Sequence, residues 1–160
     1  MIDEKGYRLN VGIVVINEKK KVLFAQRSNS ADAWQFPQGG IKSNETPLQA
    51  MYRELQEELG LTHDTVELLY ESPDWHYYDL PKKFQRPYQK PLCIGQKQRW
   101  YLLQFVGSDK DVDLNFADHA EFSAWRWVDY WHPLDHVIAF KKDVYQTVLE
   151  CFDRFIQEQG

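Results

Sequence analysis

The stretch "RELQEELG", residues 53–60, places Glu54, Glu57 and Glu58 three and four positions apart. That spacing stacks side chains on one face of a helix. Like charges there repel by only ~0.2–0.5 kcal/mol per pair, so a solvated acidic face is tolerable on its own. Outward from this stretch, both ends of a helix are well marked. Thr46 is a candidate N-cap, Pro47 suits the first helical position, and Gln49 completes a capping box. Gly60 is placed to close the helix in the left-handed conformation. Leu48, Met51, Tyr52, Leu55 and Leu59 form an apolar stripe expected to pack on a sheet. The three glutamates centre roughly 120° from that stripe.

Before this helix, "RLNVGIVVIN" reads as a buried β-branched strand, "EKKK" as a turn and "VLFAQR" as the returning strand. "WQFP" is a short strand stopped by Pro37, and "QGGIKSNE" reads as a glycine-rich loop. After it, "VELLYES", "WHYYDL", "QRWYLLQFV" and "EFSAWRWV" read as strands. A last helix is expected from about Asp143 to Gln157, with Val144, Tyr145, Val148, Leu149, Phe152, Phe155 and Ile156 on its core face. The pattern predicts an α+β domain with helices packed on a mixed sheet. Trp34, Trp100, Trp125 and Trp127 read as core or framework.

With 160 residues, 43% of them hydrophobic, the chain is expected to form one globular domain rather than a disordered segment. No apolar run approaches the ~20 residues of a membrane span, so no membrane association is expected. The opening "MIDEKGYRLN" has no apolar core of a signal peptide, and the expectation is a cytoplasmic protein. Two cysteines, Cys93 and Cys151, lie far apart and outside any CxxC, and the five histidines have no metal-ligand spacing. Net charge is −5, but Pro81 to Trp100 holds six Lys or Arg and no acid, leaving −11 on the rest. Such a run reads either as a solvated loop or as an anion-binding surface.

A wider frame decides between a solvated acidic face and a site. Gly39 is followed after five residues by Glu45, and then after seven by Arg53-Glu54-Leu55, Glu57-Glu58 and Gly60-Leu61. Seven Gly, Glu or Arg positions at ~6% background each make a chance match of order one in several hundred million. The frame resembles the signature of the Nudix hydrolases at every defined position. The resemblance implies the Nudix fold, an α/β/α sandwich with a mixed sheet between helices. It also implies cleavage of a phosphoanhydride with Mg2+, or with Mn2+ or another divalent cation.

The spacing suits that chemistry, because hard cations take oxygen ligands and keep waters and phosphates in their shell. By resemblance, Glu54, Glu57 and Glu58 hold metal with the Gly39 carbonyl, while Glu45 and Arg53 are structural. Glu54 and a glutamate from a distant loop are alternative general bases. Asn44 stands where relatives often have glycine, a tolerable change because Asn accepts left-handed backbone.

The flanks "YRLNVGIVV", "WQFPQGGI", "PLCIGQKQRWYLLQF" and "EFSAWRWVDYWHP…VIAFKKDVY" resemble the bacterial RNA pyrophosphohydrolase family from Met1 to about Phe155. This implies removal of pyrophosphate from 5′-triphosphorylated RNA, which promotes transcript decay. Dinucleoside polyphosphates are the alternative substrate, and a non-catalytic RNA- or nucleotide-binding module is the rival of another class. The resemblance makes Arg8 and Arg27 phosphate or RNA contacts and Glu121 a further metal ligand or base. It also makes Ile138, Phe140 and Lys141 a cleft for a base. Gln96 and Lys97 are plausible phosphate contacts. Phe140 as core, Arg8 or Arg27 as surface ion pairs and Glu121 as a solvated acid stay open on the sequence. No protein partner is indicated.

Overall fold

The computed structural model describes residues 1–30 and 32–159. Its framework is one mixed sheet. Strand β1 (Tyr7–Ile16) pairs in parallel with β7 (Gly95–Phe105) along its whole length, from Tyr7 opposite Gly95 to Ile16 opposite Gln104. β5 (Val66–Glu71) and β6 (His76–Asp79) pair antiparallel with the other edge of β7. On the far side, β2 (Val22–Arg27) carries β8 (Phe122–Val128) and the two-residue β3 (Trp34–Gln35).

β1 and β2 diverge immediately after their turn, with Ile16 and Val22 as their only register pair. The segment from Trp34 to Gly40 fills the wedge. β3 pairs with β2, and then β4 (Gln38–Gly40) pairs with Asn10, Val11 and Gly12 of β1. The glycine-rich stretch expected to be a loop therefore begins as a strand. Its side chains are few, and the β1 edge left open by β2 supplies the hydrogen bonds its backbone needs.

Helix α1 (Pro47–Leu59) has the expected ends. The Thr46 side chain accepts from the Gln49 N–H, the Gln49 side chain accepts from the Thr46 N–H, and Gly60 adopts φ 68°. A residue with a Cβ is strained at that φ. Met51, Leu55 and Leu59 are buried against Val11, Ile13 and Leu23, each worth ~1.5–3 kcal/mol of burial. Leu48 departs from the expected stripe and is 39% exposed, while Ala50 is fully buried.

On the opposite face, α3 (Lys142–Gln159) buries Val144, Tyr145, Val148, Leu149 and Phe152 against Val14, Phe24, Phe36 and Trp100. Phe155 and Ile156 pack at its margin. Sheet and helices thus form the expected α/β/α sandwich. The Tyr145 hydroxyl accepts from the Phe36 N–H at 2.9 Å, tying α3 to the wedge. Before α3, the short α2 (Pro133–His136) and a turn of 3₁₀ helix (Ala139–Lys141) were not expected from the sequence. Trp100 is fully buried, whereas Trp34, Trp125 and Trp127 are only half-buried. No helix among the described residues is long and apolar enough to cross a membrane.

Candidate functional site

Arg53 organises the acidic centre. Its Nε and Nη2 donate to the two oxygens of Glu45, at 3.1 and 2.6 Å. Nη1 donates to Glu54 at 2.7 Å and to Glu57 at 3.2 Å, and Nη2 also reaches the Gly40 carbonyl at 2.7 Å. One guanidinium therefore fastens α1 to the glycine strand. Its fixed fork of five N–H groups makes this possible, and an ammonium could not replace it. Glu45 also accepts from the Lys42 N–H at 2.8 Å, and the Arg53 pairing holds its carboxyl below the usual range. Leu55 and Leu61 are fully buried anchors on either side of the acidic turn.

The acidic face is not the solvated one that helical spacing alone permits. Glu58 is only 6% exposed, and its Oε2 has no hydrogen-bond partner among the described residues. Burial, followed by the charges of Glu54 and Glu121, pushes its carboxyl well above the usual range. Burial also raises Glu54, against the opposing pull of Arg53. A Cβ at Gly39 would fall on the Glu54 carboxyl group, so a larger residue there would push that carboxyl out of its place beside Arg53. Glu121 is exposed on the loop before β8, held by its backbone carbonyl, which accepts from the Ser28 N–H at 2.9 Å. Its charge acts on both Glu54 and Glu58.

Among the described residues, no three acidic, histidine or cysteine side chains form a ready-made cation cage. Glu54 and Glu57 each give an oxygen to Arg53 instead, as like charges do when nothing else neutralises them. The donor set nonetheless fits a hard divalent cation. It is all oxygen, and an unpaired carboxylate oxygen in a buried place is costly unless a cation or donor meets it.

Beside this centre, on the α3 face, lies a cleft of about 800 Å³. Arg8, Arg27, Gln96, Ile138, Phe140 and Lys141 all line it. Lys97 does not. Strand alternation turns it to the opposite face from Gln96, where it pairs with Asp3 at 3.0 Å and lies over the Trp75 ring. Phe140 is half-buried, with Tyr78 and Phe84 at ring distances of 5.6 and 5.5 Å, so it is both wall and packing residue. Buried Lys141 donates to Gln35 Oε1 at 3.1 Å, and desolvation, followed by the charge of Arg27, lowers it to about 8. Gln96 Oε1 is buried without a partner among the described residues.

Several wall residues had no signal of their own in the sequence. Gln35, Gln38, Tyr78 and Phe84 all line the cleft, beside Trp34, expected as core or framework, and Arg86 of the basic run. Tyr78 has its polarity set from below. Trp100 Nε1 can only donate, so it fixes Gln98 Oε1 at 3.1 Å and turns Gln98 Nε2 toward Asn10 at 2.8 Å. The same Nε2 reaches Gln38 Oε1 at 3.5 Å, and Gln38 Nε2 donates to the Tyr78 hydroxyl at 3.3 Å. The hydroxyl oxygen is thereby an acceptor, and its own hydrogen is left for the cleft.

The sequence matches the NUDIX domain over residues 6–149. The chain belongs to the NUDIX family. It is 51% identical over 158 residues to an RNA pyrophosphohydrolase of Coxiella burnetii, covering 98% of this chain and 69% of that protein. To one from Francisella tularensis subsp. tularensis it is 49% identical over 156 residues, covering 98% and 99%. Among solved structures, the dihydroneopterin triphosphate pyrophosphohydrolase of E. coli superimposes with TM-score 0.71 at 18% identity, covering 89% of this chain and 97% of that one. A C. elegans Ap4A hydrolase in a binary complex gives 0.68 at 18% identity, covering 94% and 98%. At such identity these structures establish the NUDIX fold and nothing finer.

Proposed function

We propose that this NUDIX protein is a single-domain RNA pyrophosphohydrolase that removes pyrophosphate from the 5′-triphosphate end of RNA. The observation that carries the reading is identity near 50% along almost the whole chain to proteins of that name. The site supports it, because the acidic centre and a cationic, aromatic-walled cleft lie side by side, as a triphosphate joined to a base requires. The 5′-monophosphate product would open the transcript to decay in the cytoplasm.

In this reading the Gly39 carbonyl, Glu54, Glu57, Glu58 and Glu121 hold Mg2+, or Mn2+ or another divalent cation. When bound, such an ion supplies positive charge against the phosphate oxygens and makes bound water more acidic. Arg8, Arg27 and Lys141 take the remaining phosphate charge, and the Tyr78 hydroxyl donates to a phosphate oxygen. Ile138 and Phe140 receive a base, where stacking on an aromatic wall suits an unpaired nucleotide. Water oxygen bonds to phosphorus, the bond between the α-phosphate and the pyrophosphate breaks, and the water's proton passes to a carboxylate. Glu54 and Glu121 are the two candidates for that base.

The test is turnover with magnesium of a 5′-triphosphorylated oligonucleotide beside diadenosine tetraphosphate, with products identified. The expected result is pyrophosphate and a 5′-monophosphorylated oligonucleotide at the higher kcat/KM. Preference for the dinucleotide, or no turnover of RNA, would overturn the reading.

A further inference from the structure

Between β6 and β7 the chain leaves the sheet and builds the outer wall of the cleft, where Phe84, Arg86 and Gln89 line it. Lys82, Lys83, Arg86 and Lys90 on this segment are all exposed. None of them is paired with a carboxylate among the described residues. Four cations elsewhere, Lys21, Arg53, Lys97 and Arg99, do have a carboxylate within 4 Å, and Arg53 has three. Aromatic rings are interleaved with the free cations. Phe84 is half exposed, with the Lys83 ammonium 5.3 Å from its centroid and Phe140 on its inner side. Tyr88, between Arg86 and Gln89, is 78% exposed.

A solvated loop gains nothing from holding a tyrosine ring in water beside unpaired cations. Cations that track a phosphate backbone, alternating with open rings, are what a single strand needs, because unpaired bases stack on any π-face. Duplex bases are already stacked and could not use Tyr88. An acidic protein surface would use the cations but would not explain the unbroken row of rings from Tyr78 through Phe140 to Phe84.

Building on the proposed function, we propose that this segment is a second substrate-binding surface, a track for the nucleotides of single-stranded RNA that follow those held in the cleft. Tyr88 stacks on a base there, and Lys82 and Lys83 meet backbone phosphates. The track lies outside the acidic centre, so it sets affinity for longer RNA and leaves the chemical step untouched.

The test uses the full chain and a single-stranded RNA octamer with a 5′-hydroxyl end, so that binding is read apart from hydrolysis. For the Lys82→Ser/Lys83→Ser double variant, the salt slope of binding should fall by about 1.4, at ~0.7 for each phosphate no longer neutralised. Tyr88→Ala should weaken binding roughly five- to 150-fold. All three side chains are exposed, and an unchanged melting temperature will show that the fold is intact. Turnover of a triphosphorylated dinucleotide should be unaltered in both variants. Unchanged octamer affinity and slope, or equal affinity for a duplex of the same length, would overturn the track. Because the octamer carries no triphosphate, this result stands even if no RNA is hydrolysed, an outcome that would count against the proposed function instead.

Discussion

Lys141 shows how a single residue links burial to recognition. Its ammonium is buried beside the cleft with Gln35 as its hydrogen-bonding partner, and its folded value of about 8 lies below the ordinary 10.5. Below pH 8 both folded and unfolded chains carry the proton, and the folded state bears the full desolvation penalty, on the order of 3 kcal/mol. Between about pH 8 and 10.5 only the unfolded chain keeps the proton, so this penalty fades and stability rises with pH. Lys141→Met should therefore be more stable than the parent at pH 7, by about 1 kcal/mol after the loss of the Gln35 bond. That advantage should shrink as pH rises through the same window, as urea midpoints will report. An advantage independent of pH would contradict the burial of a charged Lys141. A cation kept at such a disadvantage makes sense if a phosphate meets it. The sequence placed Lys141 in a cleft only through resemblance, since no local pattern separates it from Lys142, which is exposed. Lys97, expected with Gln96 as a phosphate contact, faces away from the cleft, and its sheet face is fixed by pairing with β1 far away in sequence.

At the scale of elements, α1 and the glycine strand form one unit joined by Arg53, and the sequence displayed this unit best. Thr46, Pro47, Gln49 and Gly60 act within a few residues of one another, so caps can be read locally. The burial of Glu58 could not be read that way, because the groups that act on it include Arg27, Glu121 and Lys141, which come from distant parts of the chain. The raised Glu58 carboxyl predicts a measurable trade. A buried acid whose folded value is raised loses stability as pH climbs above its unfolded value, and at pH 7 that loss stands whether the folded carboxyl has given up its proton or kept it. Glu58→Gln should melt higher than the parent in chelator. Magnesium should raise the melting temperature of the parent and leave that of the variant nearly unchanged. An equal magnesium shift in both proteins would remove Glu58 from the cation site.

Over the whole molecule, the proposed function depends on two faces of one sheet meeting at the wedge. α1 brings carboxylates to it from one face, and the turn before α3 brings Ile138, Phe140 and Lys141 from the other. Of the six cations between Pro81 and Trp100, Lys82, Lys83, Arg86 and Lys90 lie on the segment that walls the cleft, whereas Lys97 and Arg99 sit on the other face beside Asp3 and Glu71. The strands other than β4 and both long helices were legible in the sequence, whereas the cleft was not, because Arg8, Tyr78 and Phe140 meet only once the sheet has formed. The central claim is that the acidic centre does the chemistry while the cleft reads a base of the RNA. Its most direct test is kcat/KM of Phe140→Ala on a triphosphorylated oligonucleotide and on a free nucleoside triphosphate, with melting temperature as control. Removing the stack should slow the oligonucleotide roughly five- to 150-fold and leave the free nucleotide nearly unaffected. Equal losses on both substrates, with a large drop in melting temperature, would make Phe140 a packing residue and contradict the claim.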